Sequence, residues 1–181
     1  MGEHEFSIPV SDLDAGGKEF HFPVRASWVR GALEGHEATS AGADGTLAVR
    51  ASKSGHDVVV HGTLDASLTV PCARCLEPAK LTVHAELGVL FVPASRLGSA
   101  GGNERELSQE EADTLPFDGE KVVLDDLVRD ELVLEIPMIP LCSEDCPGMS
   151  PTPDHEASPA DKPIDPRLKP LLDFAARKAK E

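Results

Sequence analysis

The sequence predicts an α+β fold: a mostly antiparallel sheet with a long hairpin, one or two helices, and a clasp made by four cysteines. Three observations predict it. Two neighbouring segments, Asp57–Val70 and Ala79–Pro93, alternate apolar and polar residues at the period of a half-buried strand. A third, Leu124–Leu134, repeats its apolar residues at helical spacing. All four cysteines fall in two close pairs, one between the alternating segments and one just after the helix.

The first predicted element is a strand over Phe20–Arg30, with Phe20, Phe22, Val24, Ala26 and Trp28 sharing one face. Glycine-rich punctuation follows to Gly45, and Thr46–Ala51 is a short strand candidate. In Asp57–Val70, residues Val58, Val60, Gly62, Leu64, Ala66, Leu68 and Val70 fall on one face, and His61, Thr63, Asp65, Ser67 and Thr69 on the other. Pro71–Pro78 breaks the pattern. Alternation resumes with Leu81, Val83, Ala85, Leu87, Val89 and Phe91, so a long hairpin with PCARCLEP at its tip is expected. Arg96–Glu111 is polar and reads as a linker or loop. In the helix, Leu124, Leu127, Val128 and Leu132 make the apolar stripe. Asp125 and Asp126 lie in the first turn, where the helix dipole favours acids, and Pro137 and Pro140 end it. Three regions are expected: residues 1–148 as an α+β domain, 149–166 as a proline-rich disordered linker, and 167–181 as a short basic helix with an apolar stripe of Leu168, Leu171, Leu172, Ala175 and Ala176.

Composition narrows the function. With six Phe, one Trp and no Tyr in 181 residues, the core must be built mainly from Val and Leu. The formal charge of −15 repels nucleic acid at long range, so any RNA contact needs a local basic patch or a basic partner protein. The middle of the chain, Glu104–Glu135, is strongly acidic, whereas Arg167–Glu181 is mildly basic. No stretch approaches the ~20 apolar residues of a membrane span, and Met1–Val10 has no apolar run. The expected location is the cytoplasm. Thiols stay reduced there, so paired cysteines point to metal or redox chemistry.

Cys72-Ala-Arg-Cys75 and Cys142-Ser-Glu-Asp-Cys146 each have a spacing that lets a tight turn aim two thiolates at one zinc ion. The 66 residues between the pairs are more than common finger or ribbon motifs have, so the site would pin the segment after the helix onto the hairpin tip. Four thiolates would close the coordination sphere, making such a zinc structural. Two other readings stand beside it. Cys72 and Cys75 could form a reversible disulfide, or all four could be metal-free thiols packed in the interior. The redox reading is weakened because Pro78 and renewed alternation, not a helix, follow the C-x2-C. The alternative ligands are His155, in the proline-rich run, and the hairpin histidines His56, His61 and His84; His61 and His84 fall on the solvent face of their strands and read as an exposed cross-strand pair rather than a metal site.

Phosphate-loop, dinucleotide, zinc-protease and nucleophile-elbow signatures are absent, and the helix acids sit where a solvated face would put them. No catalytic residue is assigned, and an enzyme is not expected.

The order of motifs resembles the YceD family of large ribosomal RNA subunit accumulation proteins. The residues that carry the resemblance are Cys72–Pro78 (C-x-x-C-L-E-P), an acidic stretch, Leu124–Cys142 (L-x-D-L-V-x-D-E-L-x-L-x-I-P-x-x-P-L-C), Cys146–Gly148, and the closing Asp165-Pro166-Arg167-Leu168. Many members continue with a further cysteine pair, but here Met149-Ser150-Pro151 follows, so a metal site using that pair does not carry over. The resemblance implies a non-enzymatic ribosome-biogenesis factor supporting 23S rRNA accumulation, binding large-subunit rRNA, a basic ribosomal protein, or both. Candidate RNA contacts are Arg74, Lys80, Arg167, Lys169, Arg177 and Lys178; Arg74 and Lys80 have the alternative role of offsetting thiolate charge. A thiol redox protein and a generic zinc-stapled interaction module remain as alternatives.

Overall fold

A strand that alternates apolar and polar residues buries one face and wets the other. The computed structural model, which describes residues 4–96, 114–149 and 167, shows this along its two longest strands. The chain divides into two units, Met1–Cys146 and Pro147–Glu181, and the fold described is that of the first. Strand β5 (Asp57–Pro71) buries Val58, Val60, Leu64, Ala66, Leu68 and Val70. Strand β6 (Pro78–Pro93) runs antiparallel to it, from Val58 opposite Phe91 to Pro71 opposite Pro78, and buries Val83, Ala85, Leu87 and Phe91 on the same face. Each large aliphatic side chain so removed from water contributes roughly 1.5–3 kcal/mol.

The sheet grows outward from this hairpin. Strand β4 (Gly45–Ser54) pairs antiparallel with β5, and β2 (Lys18–Val24) pairs antiparallel with β4. The two-residue β3 (Thr39–Ser40) also pairs with β5. On the other side β7 (Thr114–Phe117) joins β6 in parallel, the one exception to the antiparallel pattern among the described pairs. A separate two-stranded ribbon joins β1 (Ser7–Pro9) to β8 (Lys121–Val123). Helix α2 (Asp125–Leu134) buries Val128 and Leu132. Leu124, just before it, is also buried and Leu127 packs against the core, as the helical spacing predicts. The core is mainly aliphatic, with Phe6 and Phe91 its largest fully buried side chains. Phe6 meets Trp28 edge-on at 4.7 Å and Phe22 at 5.9 Å.

One expectation is corrected. Phe20–Arg30 is not a single strand. Phe20, Phe22 and Val24 do face inward in β2, but Ala26–Ala32 forms helix α1. Ala26, Val29 and Leu33 are buried at spacings of three and four, so the helical period wins over the alternation that Trp28 suggested. Arg25 offers no side-chain cap. The Asp44 carboxylate, 18 residues on from Ala26, takes that role by accepting the Ala26 N–H at 2.8 Å. Arg129 of α2 donates to the Ala32 carbonyl at the far end.

The expected linker over 149–166 and helix over 167–181 lie outside the described residues, apart from Met149 and Arg167. Most of the expected polar loop does as well. Among the described residues no helix is long and apolar enough to cross a membrane.

Asp125 does more than complement a helix dipole. Its carboxylate accepts the amide protons of Glu5 at 3.0 Å and Phe6 at 3.4 Å, while the Leu124 amide donates to the Phe6 carbonyl. These bonds fix the backbone on either side of the buried Phe6 ring. Replacing Asp125 with Ala leaves two partly buried amides without acceptors, and a loss of about 1–2 kcal/mol is expected in chemical denaturation. An unchanged midpoint would show that water serves those amides equally well.

Candidate metal centre

The hairpin tip is built to present two cysteines. The last ladder pair is Pro71 opposite Pro78, and the Cys72 amide then donates to the Glu77 carbonyl at 2.9 Å. A second bond runs from the Leu76 amide to the Cys72 carbonyl at 2.9 Å. Closing so tight a turn forces Leu76 to φ 64°, a left-handed conformation that costs a non-glycine residue ~1–2 kcal/mol. The second pair comes from the segment after α2. Its anchor is the Pro140 carbonyl, which accepts the Ala73 amide at 2.8 Å. A turn closed by the Cys146 amide on the Ser143 carbonyl then brings Cys142 and Cys146 to the tip.

All four Sγ atoms lie within 4.8 Å of one another. The short contacts cross between the two segments: Cys72 to Cys146 at 3.8 Å and Cys75 to Cys142 at 3.7 Å. A tetrahedron with metal–sulfur bonds of ~2.3 Å has sulfur–sulfur edges of ~3.8 Å. All four are free thiols, so the donor set fits a single thiophilic cation. Cys72 and Cys146 are buried, whereas Cys142 is exposed.

The thiols crowd one another electrostatically. Hydrogen bonds from the backbone amides of Cys75, then Arg74 and Cys142, bring the Cys72 thiol down to about 6. At Cys75 the Glu77 amide acts to lower the value, but burial and the bonds to the other three thiols outweigh it and push it up to about 12. Cys142 is also raised, first by its bond to Cys146. One site for negative charge thus holds its neighbours protonated, which a bound cation would relieve.

Arg74 sits between the cysteines of the first pair, and its guanidinium donates to the carbonyls of Glu144 at 3.2 Å and Cys146 at 3.1 Å. It therefore ties the two cysteine segments together. Lys80 is exposed on β6, opposite Thr69. Arg167 is exposed. Lys169, Arg177 and Lys178 lie outside the described residues. The clasp is legible from cysteine spacing. Arg74's carbonyl contacts and the Asp125 bonds are not, since their partners lie about 70 and 120 residues away in the chain.

The strand histidines are both exposed but do not face each other: His61 lies opposite Gly88, and His84 opposite Asp65. His84 Nδ1 is 2.6 Å from Asp65 Oδ1, and that hydrogen bond, with the carboxylate charge, raises the imidazole above its usual 6.5. A raised folded-state value means that the pair stabilises the protein fully below pH ~6.5 and loses its effect as pH rises through the folded value. Asp65→Asn is expected to lower the His84 titration in NMR, leaving only the smaller upward pull of the Glu86 and Glu135 charges. A titration unmoved by the substitution would rule the pair out as the cause.

A family model described as "Large ribosomal RNA subunit accumulation protein YceD" matches residues 60–175, about two thirds of the chain and both cysteine pairs. The chain belongs to the YceD family. That family's description concerns accumulation of the large ribosomal RNA subunit. Strands β1–β4 and helix α1 precede the matched stretch. Related curated proteins are also found in mycobacteria. One, an uncharacterized protein of Mycobacterium tuberculosis, is 30% identical over 105 residues, which are 58% of this chain and 47% of that protein. Another, of Mycobacterium leprae, is 31% identical over 109 residues, 60% of this chain and 46% of its own. The chain thus spans about half the length of the curated relatives it matches. No solved structure matches it significantly.

Proposed function

We propose that this chain is a non-enzymatic ribosome-assembly factor that supports accumulation of 23S rRNA, with one structural zinc held by Cys72, Cys75, Cys142 and Cys146. The observation that carries the reading is the family match over residues 60–175, which takes in the whole clasp. The zinc locks the end of the α2 segment to the hairpin tip and supplies no reaction, because four thiolates leave no open position for a substrate. A charge of −15 favours a basic ribosomal protein as the first partner, with Arg74, Lys80 and the basic residues of 167–181 as candidate RNA contacts. Arg74 is partly committed to the Glu144 and Cys146 carbonyls, which lowers its weight as a phosphate contact. A thiol oxidoreductase is less well supported: Cys72 is buried and the C-x2-C crowns a hairpin rather than a helix.

The test is deletion of the gene, with 23S rRNA and its precursors measured alongside sedimentation of the protein. The expected result is a fall in 23S rRNA relative to 16S and co-sedimentation with large-subunit precursors. Unchanged rRNA with the protein confined to the top of the gradient would reject the reading.

A further inference from the structure

Beside the clasp lies an apolar groove of about 370 Å³. Ala38, Val70 and Pro71 line it from the sheet side, and Val133, Ile136, Pro137 and Met138 from the end of α2 and the segment beyond. The surface next to it is apolar too. Met138 is 100% exposed, Leu134 75% and Ile139 68%. Three large hydrophobics in a six-residue stretch are turned to solvent and have no cover among the described residues. In the bare sequence, Pro137 and Pro140 mark only a helix stop.

The segment is held rather than loose. Pro137 and Pro140 fix two φ angles, and the Pro140 carbonyl is bonded to the Ala73 amide. A surface fixed in advance loses little entropy on binding. Its carboxylates are not matched by lysine or arginine. Glu37 lines the groove, Glu135 is exposed beside Ile136, Glu34 is exposed nearby in sequence, and among the described residues His36 is the one basic side chain in the lining. Such a surface repels a phosphate backbone and attracts cationic side chains.

We propose that this groove and the Leu134–Ile139 strip dock a basic protein segment, one that seats an aliphatic side chain in the groove and sets flanking Lys or Arg against Glu37 and Glu135. The inference rests on the assembly-factor reading only for the source of that segment, a basic ribosomal protein.

Three labelled 12-residue peptides serve as probes for the full chain in fluorescence anisotropy: an alternating Lys/Leu peptide, a Lys/Ser peptide and a Glu/Leu peptide. The Lys/Leu peptide is expected to bind best. The double variant Met138→Ser/Ile139→Ser, whose sites are exposed, is expected to weaken it about tenfold without moving the melting temperature. Glu37→Lys/Glu135→Lys is expected to weaken it similarly, whereas Glu19→Lys, exposed on β2 beside Arg50, is not. Equal binding of the Lys/Leu and Lys/Ser peptides, or full binding by the Ser variant, overturns the proposal. So does groove-dependent binding of purified 23S rRNA, which would make the partner a nucleic acid. Sedimentation separates this inference from the function. If the wild type and the Ser variant both travel with large-subunit precursors, the groove inference fails and the assembly reading stands. If the wild type does not travel with them, the assembly reading fails and the peptides alone judge the groove.

Discussion

Elemental analysis of the purified protein is expected to find about one zinc per chain, and Cys142→Ser is expected to lose it or hold it weakly. The short sulfur–sulfur contacts of 3.7 and 3.8 Å match the edge of a four-thiolate zinc site. Cys142 is the cleanest place to break it. Cys72 and Cys146 are buried, so a serine there would bury a hydroxyl as well as remove a ligand, whereas Cys142 is exposed. With free metal about 1,000-fold above Kd, the ion contributes ~4 kcal/mol to the folded state. In a domain of this size that is worth on the order of 10 °C in melting temperature. A chelator should produce that fall in the wild type and little in Cys142→Ser. Cys72 and Cys146 join the buried core at the hairpin tip, at the opposite end of the β5–β6 ladder from Val58 and Phe91, so the fall should come with loosening that begins at the tip. Protein prepared under reducing conditions that carries no metal, and melts identically with and without chelator, would end the zinc reading.

The second large effect is expected at Gly62. On β5 it lies opposite Val49, and a Cβ placed there would collide with the Ala48 carbonyl oxygen and lie 2.7 Å from Val49 Cα. Backbone atoms cannot retreat without breaking the β4–β5 ladder. Gly62→Ala should therefore cost roughly 2–3 kcal/mol, an overpacking penalty rather than a loss of contacts. Gly88 provides the comparison. It lies one strand over, opposite His61, and a Cβ added to it would meet nothing within 4 Å. Gly88→Ala should fall within about 0.5 kcal/mol of the wild type. Urea denaturation of both variants decides the matter, and coincident midpoints would show that β4 and β5 can part at no cost.

The contrast between these glycines marks a boundary of what sequence can reveal. Alternation puts Gly62 on the apolar face with Val60 and Leu64, and Gly88 on the polar face between Leu87 and Val89, but it does not tell how much room either has for a side chain. Which one faces a neighbouring backbone depends on how closely β4 approaches β5, and that is a property of the packed sheet. The start of α1 teaches the same lesson. Phe20, Phe22 and Val24 alternate, and Ala26 and Trp28 continue the pattern by chance, while the cap that lets a helix begin comes from Asp44.

Local order in the sequence by itself determined much of this protein. Period-two alternation specified β5, β6 and their shared buried face, because a one-residue slip would expose the entire apolar set. Helical spacing specified α2, and the two short cysteine spacings marked both halves of the clasp. Tertiary structure alone decided the rest. It brought sulfurs from cysteine pairs 66 residues apart within reach of one another, turned Arg74 onto the opposite cysteine loop, and gave Asp125 the amides of Glu5 and Phe6. It also left Met138 and Ile139 in solvent at an apolar groove that Glu37 helps to line. Those contacts join residues far apart in the chain, so neither periodicity nor local propensity encodes them, and they exist only once the sheet and α2 have packed.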